Sequence, residues 1–179
     1  SNISSLTSYN KLKSLLKLGS VNTVKNYIGY LENSWLFFVV NKYAYSVKEQ
    51  QIAAKKIYSI DTGLARSVGF SFSENKGKLM ENGVYVTLRR DQQDPYYYKT
   101  QSGYEIDFFL SRSGEAIQVV ADIDDETVRV RETRALRELA SEQKSIKAFT
   151  IVTEREKDRI KEGGVTTRMI PLYEWLLTR

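Results

Sequence analysis

Tyr104-Glu105-Ile106-Asp107-Phe108-Phe109-Leu110, followed ten residues after Asp107 by Ile117-Gln118-Val119-Val120, reads as two neighbouring extended segments. Side chains alternate along a strand, so Glu105, Asp107 and Phe109 share one face while Ile106, Phe108 and Leu110 share the other. The same rule groups Ala116, Gln118 and Val120. If the two strands pair, Asp107, Gln118 and Val120 converge on one spot.

Working outward, the flanking sequence predicts a helix over 79–90 and strands over 96–99, 104–110 and 116–120. A helix over 126–143 and a strand over 146–152 follow. This αβββαβ order is completed by a strand over 166–170 and a short helix over 172–177. Asp122, Asp124, Asp125 and Glu126 precede the long helix. Their spacing does not fit a calcium loop, and carboxylates at a helix start favour its dipole, with Asp124 or Asp125 as cap. Of Tyr96, Tyr97 and Tyr98, at most two can share a sheet face, which favours packing over a base-stacking platform.

In the N-terminal part, Tyr9, Leu12, Leu15 and Leu16 recur at helical spacing and stop before Gly19. Ser20 or Asn22 can cap a second helix whose inward stripe is Val24, Ile28, Leu31 and Trp35, leaving Lys25, Asn26, Gly29 and Glu32 outside. Two extended runs follow, 36–40 and 56–60, separated by a polar turn. Helices followed by a two-stranded ribbon predict a winged helix-turn-helix over 1–70. The glycine-punctuated polar stretch 69–78 separates it from a second domain over 71–179.

Charge supports the same partition. Residues 1–66 carry nine Lys/Arg against three Asp/Glu, whereas 67–179 carry eighteen against nineteen. A helix-turn-helix with surplus positive charge is the footprint of DNA contact. Asn22, Thr23, Lys25 and Asn26 on the second helix are the expected groove contacts, with Lys11, Lys13 and Lys17 set to neutralise phosphates.

The 179 residues contain no cysteine and no histidine, which excludes disulfides, thiolate catalysis, the usual zinc sites and imidazole bases. Any chemistry must use carboxylates, Lys, Arg, Tyr or hydroxyls. Apolar runs such as 35–40 are too short to span a bilayer and follow no leader pattern, so a cytoplasmic protein with no membrane partner is expected. The chain opens Ser1-Asn2 without an initiator Met, which suggests a piece of a longer protein. It also lacks a G-x-x-x-x-G-K-[ST] phosphate loop.

Taken together, Lys55-Lys56-Ile57-Tyr58-Ser59-Ile60-Asp61-Thr62-Gly63-Leu64, Met80-Glu81-Asn82-Gly83-Val84-Tyr85, Glu105-Ile106-Asp107-Phe108 and Ile117-Gln118-Val119 resemble the C-terminal half of a prokaryotic AAA-type ATPase family. In that family a P-loop domain precedes a winged helix and a nuclease-like domain of the PD-(D/E)xK restriction-endonuclease-like superfamily. The resemblance implies an α/β (α+β) chain: a winged helix-turn-helix, then a restriction-endonuclease-like αβββαβ domain with a mixed central sheet. ATP would bind only in an upstream ATPase domain, which would be this region's partner.

Position by position, the resemblance makes Glu81 the helix acid, Asp107 the principal metal ligand, Gln118 the second acid and Val120 the lysine of D/E-x-K. The last two depart from the pattern. Glutamine offers Mg²⁺ or Mn²⁺ a neutral oxygen, but valine cannot donate a proton or stabilise negative charge. A migrated base would come from Lys99 or Arg131. The same residues have structural readings: Glu81 as a partner of Arg89 or Lys78, Gln118 as the satisfier of a buried backbone group. Three functions stay open: a regulatory, DNA-contacting region with a degenerate nuclease-like domain, an active Mg/Mn-dependent nuclease using Glu81, Asp107 and Gln118, and a protein-docking module without nucleic acid.

Overall fold

In the computed structural model, which describes residues 3–63 and 76–179, the chain divides into two compact units, Ser1–Asn82 and Gly83–Arg179. Both mix helices with strands. The expected boundary stretch lies mostly outside the described residues, and the units divide between Asn82 and Gly83, within a helix.

The first unit runs β1 (Leu6–Thr7), α1 (Tyr9–Leu15), α2 (Val21–Asn33), β2 (Phe37–Val40), α3 (Val47–Ile52) and β3 (Lys55–Ser59), then the start of α4 (Lys76–Arg90). Its sheet has the order β1-β3-β2, antiparallel throughout, so the expected two-stranded ribbon has a third strand. Leu12, Val24, Val40 and Tyr58 are buried in it. Ser8 and Ser20 cap α1 and α2, each hydroxyl accepting a backbone N–H three residues on.

Helix ends explain two differences from the sequence reading. Helix α1 ends at Leu15, four residues before Gly19, because Lys17 takes a left-handed φ of 53° and Leu18 N–H returns to the Lys13 carbonyl at 3.0 Å. Trp35 does the same for α2, with φ 60° and Leu36 N–H on the Leu31 carbonyl at 3.1 Å. Trp35 therefore lies beyond the helix, 67% exposed and edge-on to Phe38, not on the inward stripe. The region read as a polar turn contains α3, whose N-cap Ser46 accepts from Glu49 N–H. Ser46-Val47-Lys48-Glu49 is a capping-box sequence that hydrophobic patterning alone overlooks.

The second unit holds the rest of α4, then β4 (Tyr96–Lys99), β5 (Glu105–Leu110), β6 (Glu115–Val120), α5 (Glu126–Glu142), β7 (Ala148–Thr153), β8 (Asp158–Glu162), β9 (Val165–Pro171) and α6 (Leu172–Leu177). Six strands line up as β4-β5-β6-β7-β9-β8. The parallel pairs β6/β7 and β7/β9 form the middle, and antiparallel pairs form both flanks. Strand β8 was not expected. Its sequence Asp-Arg-Ile-Lys-Glu is almost wholly charged and mostly exposed, which suits an edge strand and hides it from an apolar pattern.

Helices cover both faces of β5. Tyr85 of α4 stacks on Phe108, and on the opposite face Tyr98 stacks on Phe109 while its hydroxyl donates to Glu142 of α5. Val84, Leu88, Ile106, Ile117, Leu136, Leu139 and Ile151 are fully enclosed. With Tyr97 and Tyr98 buried, the three tyrosines serve packing. Asp125 caps α5 by accepting from Thr127, and those bonds hold its carboxyl below the usual range. Among the described residues no helix is long and apolar enough to cross a membrane.

Candidate functional site

Antiparallel register sets Phe108 opposite Ile117 and so brings Asp107 beside Gln118. Here side chains replace the regular strand ladder. The Asp107 backbone N–H donates to the Gln118 side-chain oxygen at 3.1 Å, and the Val119 backbone N–H donates to the Asp107 carboxylate at 2.9 Å. The Gln118 amide nitrogen then donates to the Glu105 carbonyl at 3.3 Å and to a Glu132 carboxylate oxygen at 2.7 Å. These bonds determine which way the amide faces.

Glu132 completes the cluster from α5. Its other oxygen accepts from Arg131 Nε at 2.9 Å, and the residue is only 5% exposed. Burial pushes the Glu132 carboxyl above its ordinary range, Arg131 pulls it back, and the neighbouring Asp107 charge adds to the upward push. The result is a buried braid of Asp107, Gln118 and Glu132 tying β5, β6 and α5 together.

Glu81 belongs to the first unit. Its Oε1 accepts from Lys56 Nζ at 2.9 Å and from the Tyr58 hydroxyl at 2.6 Å, and Lys56 is 1% exposed. The next residue, Asn82, pairs with the Ser59 backbone in both directions, at 2.8 Å from its N–H and 2.9 Å to its carbonyl. Strand β3 and the start of α4 are thereby joined by a buried ion pair and a double amide bond. Lys56 and Tyr58 replace Arg89 and Lys78 as the Glu81 partners: Arg89 lies two turns along the helix and pairs with Asp94.

The structure thus brings Asp107 and Gln118 together and holds Glu81 with Lys56 and Tyr58. Arg131, a candidate base, is committed to Glu132, and Lys99 is exposed on β4 opposite Glu105. Among the described residues no group of three or more His, Cys, Asp or Glu side chains gathers that could hold a metal ion. The Gln118 oxygen is turned to the Asp107 amide. Val120 is buried and shares the Gln118 face by alternation.

In the first unit, Asn22, Lys25 and Asn26 are exposed on α2, whereas the Thr23 hydroxyl is engaged with Ser20 at 3.1 Å. Lys11 and Lys17 are exposed and Lys13 is half-buried.

A family model described as a domain of unknown function, DUF4143, matches residues 76–175. The chain belongs to the DUF4143 family. A second model, also a domain of unknown function, DUF8612, matches residues 1–75. The DUF4143 match contains Glu81, Asp107, Gln118 and Glu132, while Lys56 and Tyr58 fall in the other. An uncharacterized protein of Methanocaldococcus jannaschii is 31% identical over 94% of this chain and 39% of its own length. An uncharacterized protein of Haemophilus influenzae is 27% identical over 88% of the chain and 38% of its own length. The chain spans about two fifths of each relative, and no solved structure matches it.

Proposed function

We propose that this DUF4143 chain is a non-catalytic, DNA-contacting regulatory region of an AAA-type ATP-binding protein, a winged helix-turn-helix fused to a degenerate nuclease-like domain. The observation carrying the reading is the Asp107–Gln118–Glu132 braid. A carboxylate and an amide that would serve a metal are instead spent on backbone groups of β5 and β6. Val120 adds an apolar side chain where phosphodiester cleavage needs a cation.

Support for DNA contact comes from Lys11, Lys17, Asn22, Lys25 and Asn26, all exposed on or next to α1 and α2. The relatives' greater length leaves room in them for an ATPase domain, the expected partner. Duplex binding followed by fluorescence anisotropy across a salt series tests this reading. Affinity should fall steeply with salt, and binding without salt dependence would contradict it.

One observation favours a second reading, protein docking without nucleic acid. Leu15, Leu16, Tyr27, Tyr30 and Trp35 are all exposed on or just beyond α1 and α2, a dense apolar display for the surface of a single unit. Loss of duplex binding at low salt would select that reading.

A further inference from the structure

We propose that a pocket of the first unit, bounded by Tyr9, Lys25, Asn41, Gln50, Gln51 and Lys55, is an anion site that takes a phosphate group. The pocket encloses about 500 Å³ between α1, α2, α3 and the start of β3. That volume is in the range of small-ligand sites and exceeds what a lone carboxylate fills.

Lys55 is the decisive residue. It is 4% exposed, its ammonium donates to the Gln50 carbonyl, and among the described residues it has no carboxylate in ion-pair contact. A buried charge without a counter-charge is costly, and an incoming anion removes that cost. Burial, reinforced by Lys25, depresses the Lys55 pKa, as expected where two cations line one pocket.

Lys25 adds the second charge, held 5.8 Å from the centre of the Tyr9 ring. The nearby acid is Glu32, whose charge is felt at Tyr9, and its carboxylate accepts the Val39 N–H at 3.0 Å. Amides of Asn41, Gln50 and Gln51 line the wall, with Gln50 oriented by donating to the Ala44 carbonyl at 2.8 Å. Two ammonium groups with amide donors match a dianionic, many-oxygen group better than a single carboxylate.

The phosphate can arrive on a free small molecule or as part of a nucleic-acid backbone. The test is calorimetric titration of the whole chain with inorganic phosphate and with a mononucleotide, then displacement by a DNA duplex. Saturable binding is expected, weakened about tenfold or more by Lys55→Met and by Lys25→Gln. Lys55→Met should melt no lower than wild type, which separates lost binding from lost fold, and Lys25→Gln changes an exposed residue. Displacement by duplex assigns the phosphate to a backbone; its absence assigns it to a free ligand, and the site then stands even if duplex binding fails. No saturable binding, or binding unchanged by both substitutions, would overturn the proposal.

Discussion

Asp107 and Gln118 each use a side chain to hold the other's strand: Asp107 accepts the Val119 N–H, and Gln118 accepts the Asp107 N–H. Because both are buried, the exchange is structural whether or not it is anything more. Gln118→Ala leaves the Asp107 amide and the Glu132 carboxylate short of a partner. It should cost about 2–6 kcal/mol, one to three for each lost partner. Asp107→Asn keeps an oxygen for Val119 and relieves charge beside Glu132, so it should cost under about 1 kcal/mol. Urea denaturation of the three chains checks the contrast.

The raised Glu132 carboxyl makes stability depend on pH. A folded-state pKa above the unfolded one means the group's stabilisation is complete below the unfolded value and fades as pH rises through the folded value. Glu132→Gln removes that penalty. Its melting temperature relative to wild type should therefore climb between pH 4 and pH 8. Gln118→Glu, which adds a carboxylate beside Glu132, should do the reverse, melting lowest at pH 8 and recovering towards pH 4.

Lys56 and Glu81 are the other buried pair. Glu81→Ala removes a counter-charge from an almost wholly enclosed ammonium and should cost about 3–5 kcal/mol. Lys56→Met with Glu81→Leu, which removes both charges, should cost clearly less than the single change. Thermal melts of the single and double variants give the comparison.

If α1 and α2 contact DNA as proposed, Lys11→Gln and Lys25→Gln should each lower the slope of log affinity against log salt by about 1. Asn26→Ala should instead weaken binding to preferred sequences more than to random duplex, since an asparagine reads base edges and a lysine reads phosphates. Anisotropy titrations at several salt concentrations measure both.

Much of the second unit was legible because its strands are apolar and its turns are marked. The expected strand over 96–99 and the helix over 172–177 match β4 and α6, the other expected strands and the helix over 126–143 differ by one or two residues at their ends, and α4 begins three residues before the expected 79. What escaped was polar. Strand β8 and helix α3 carry little apolar periodicity, and α3 declares itself only through Ser46 and Glu49. Glu132 was hidden among the charges of α5, where Arg134–Glu138 is an i,i+4 pair but Arg129 and Arg137 reach Asp158 and Glu162 instead. Only tertiary packing reveals that one carboxylate of that helix is turned inward. Nothing local to β3 says that the partner of Lys56 and Tyr58 is Glu81, twenty-five and twenty-three residues on.

We propose that Asp107, Gln118 and Glu132 brace β5, β6 and α5 and do not cut nucleic acid. The most direct test is incubation of supercoiled plasmid and single-stranded DNA with the purified chain in Mg²⁺ or Mn²⁺, beside Asp107→Ala. No cleavage by the wild-type chain above that variant is expected; metal-dependent cleavage that Asp107→Ala abolishes would contradict the role of these residues as a brace.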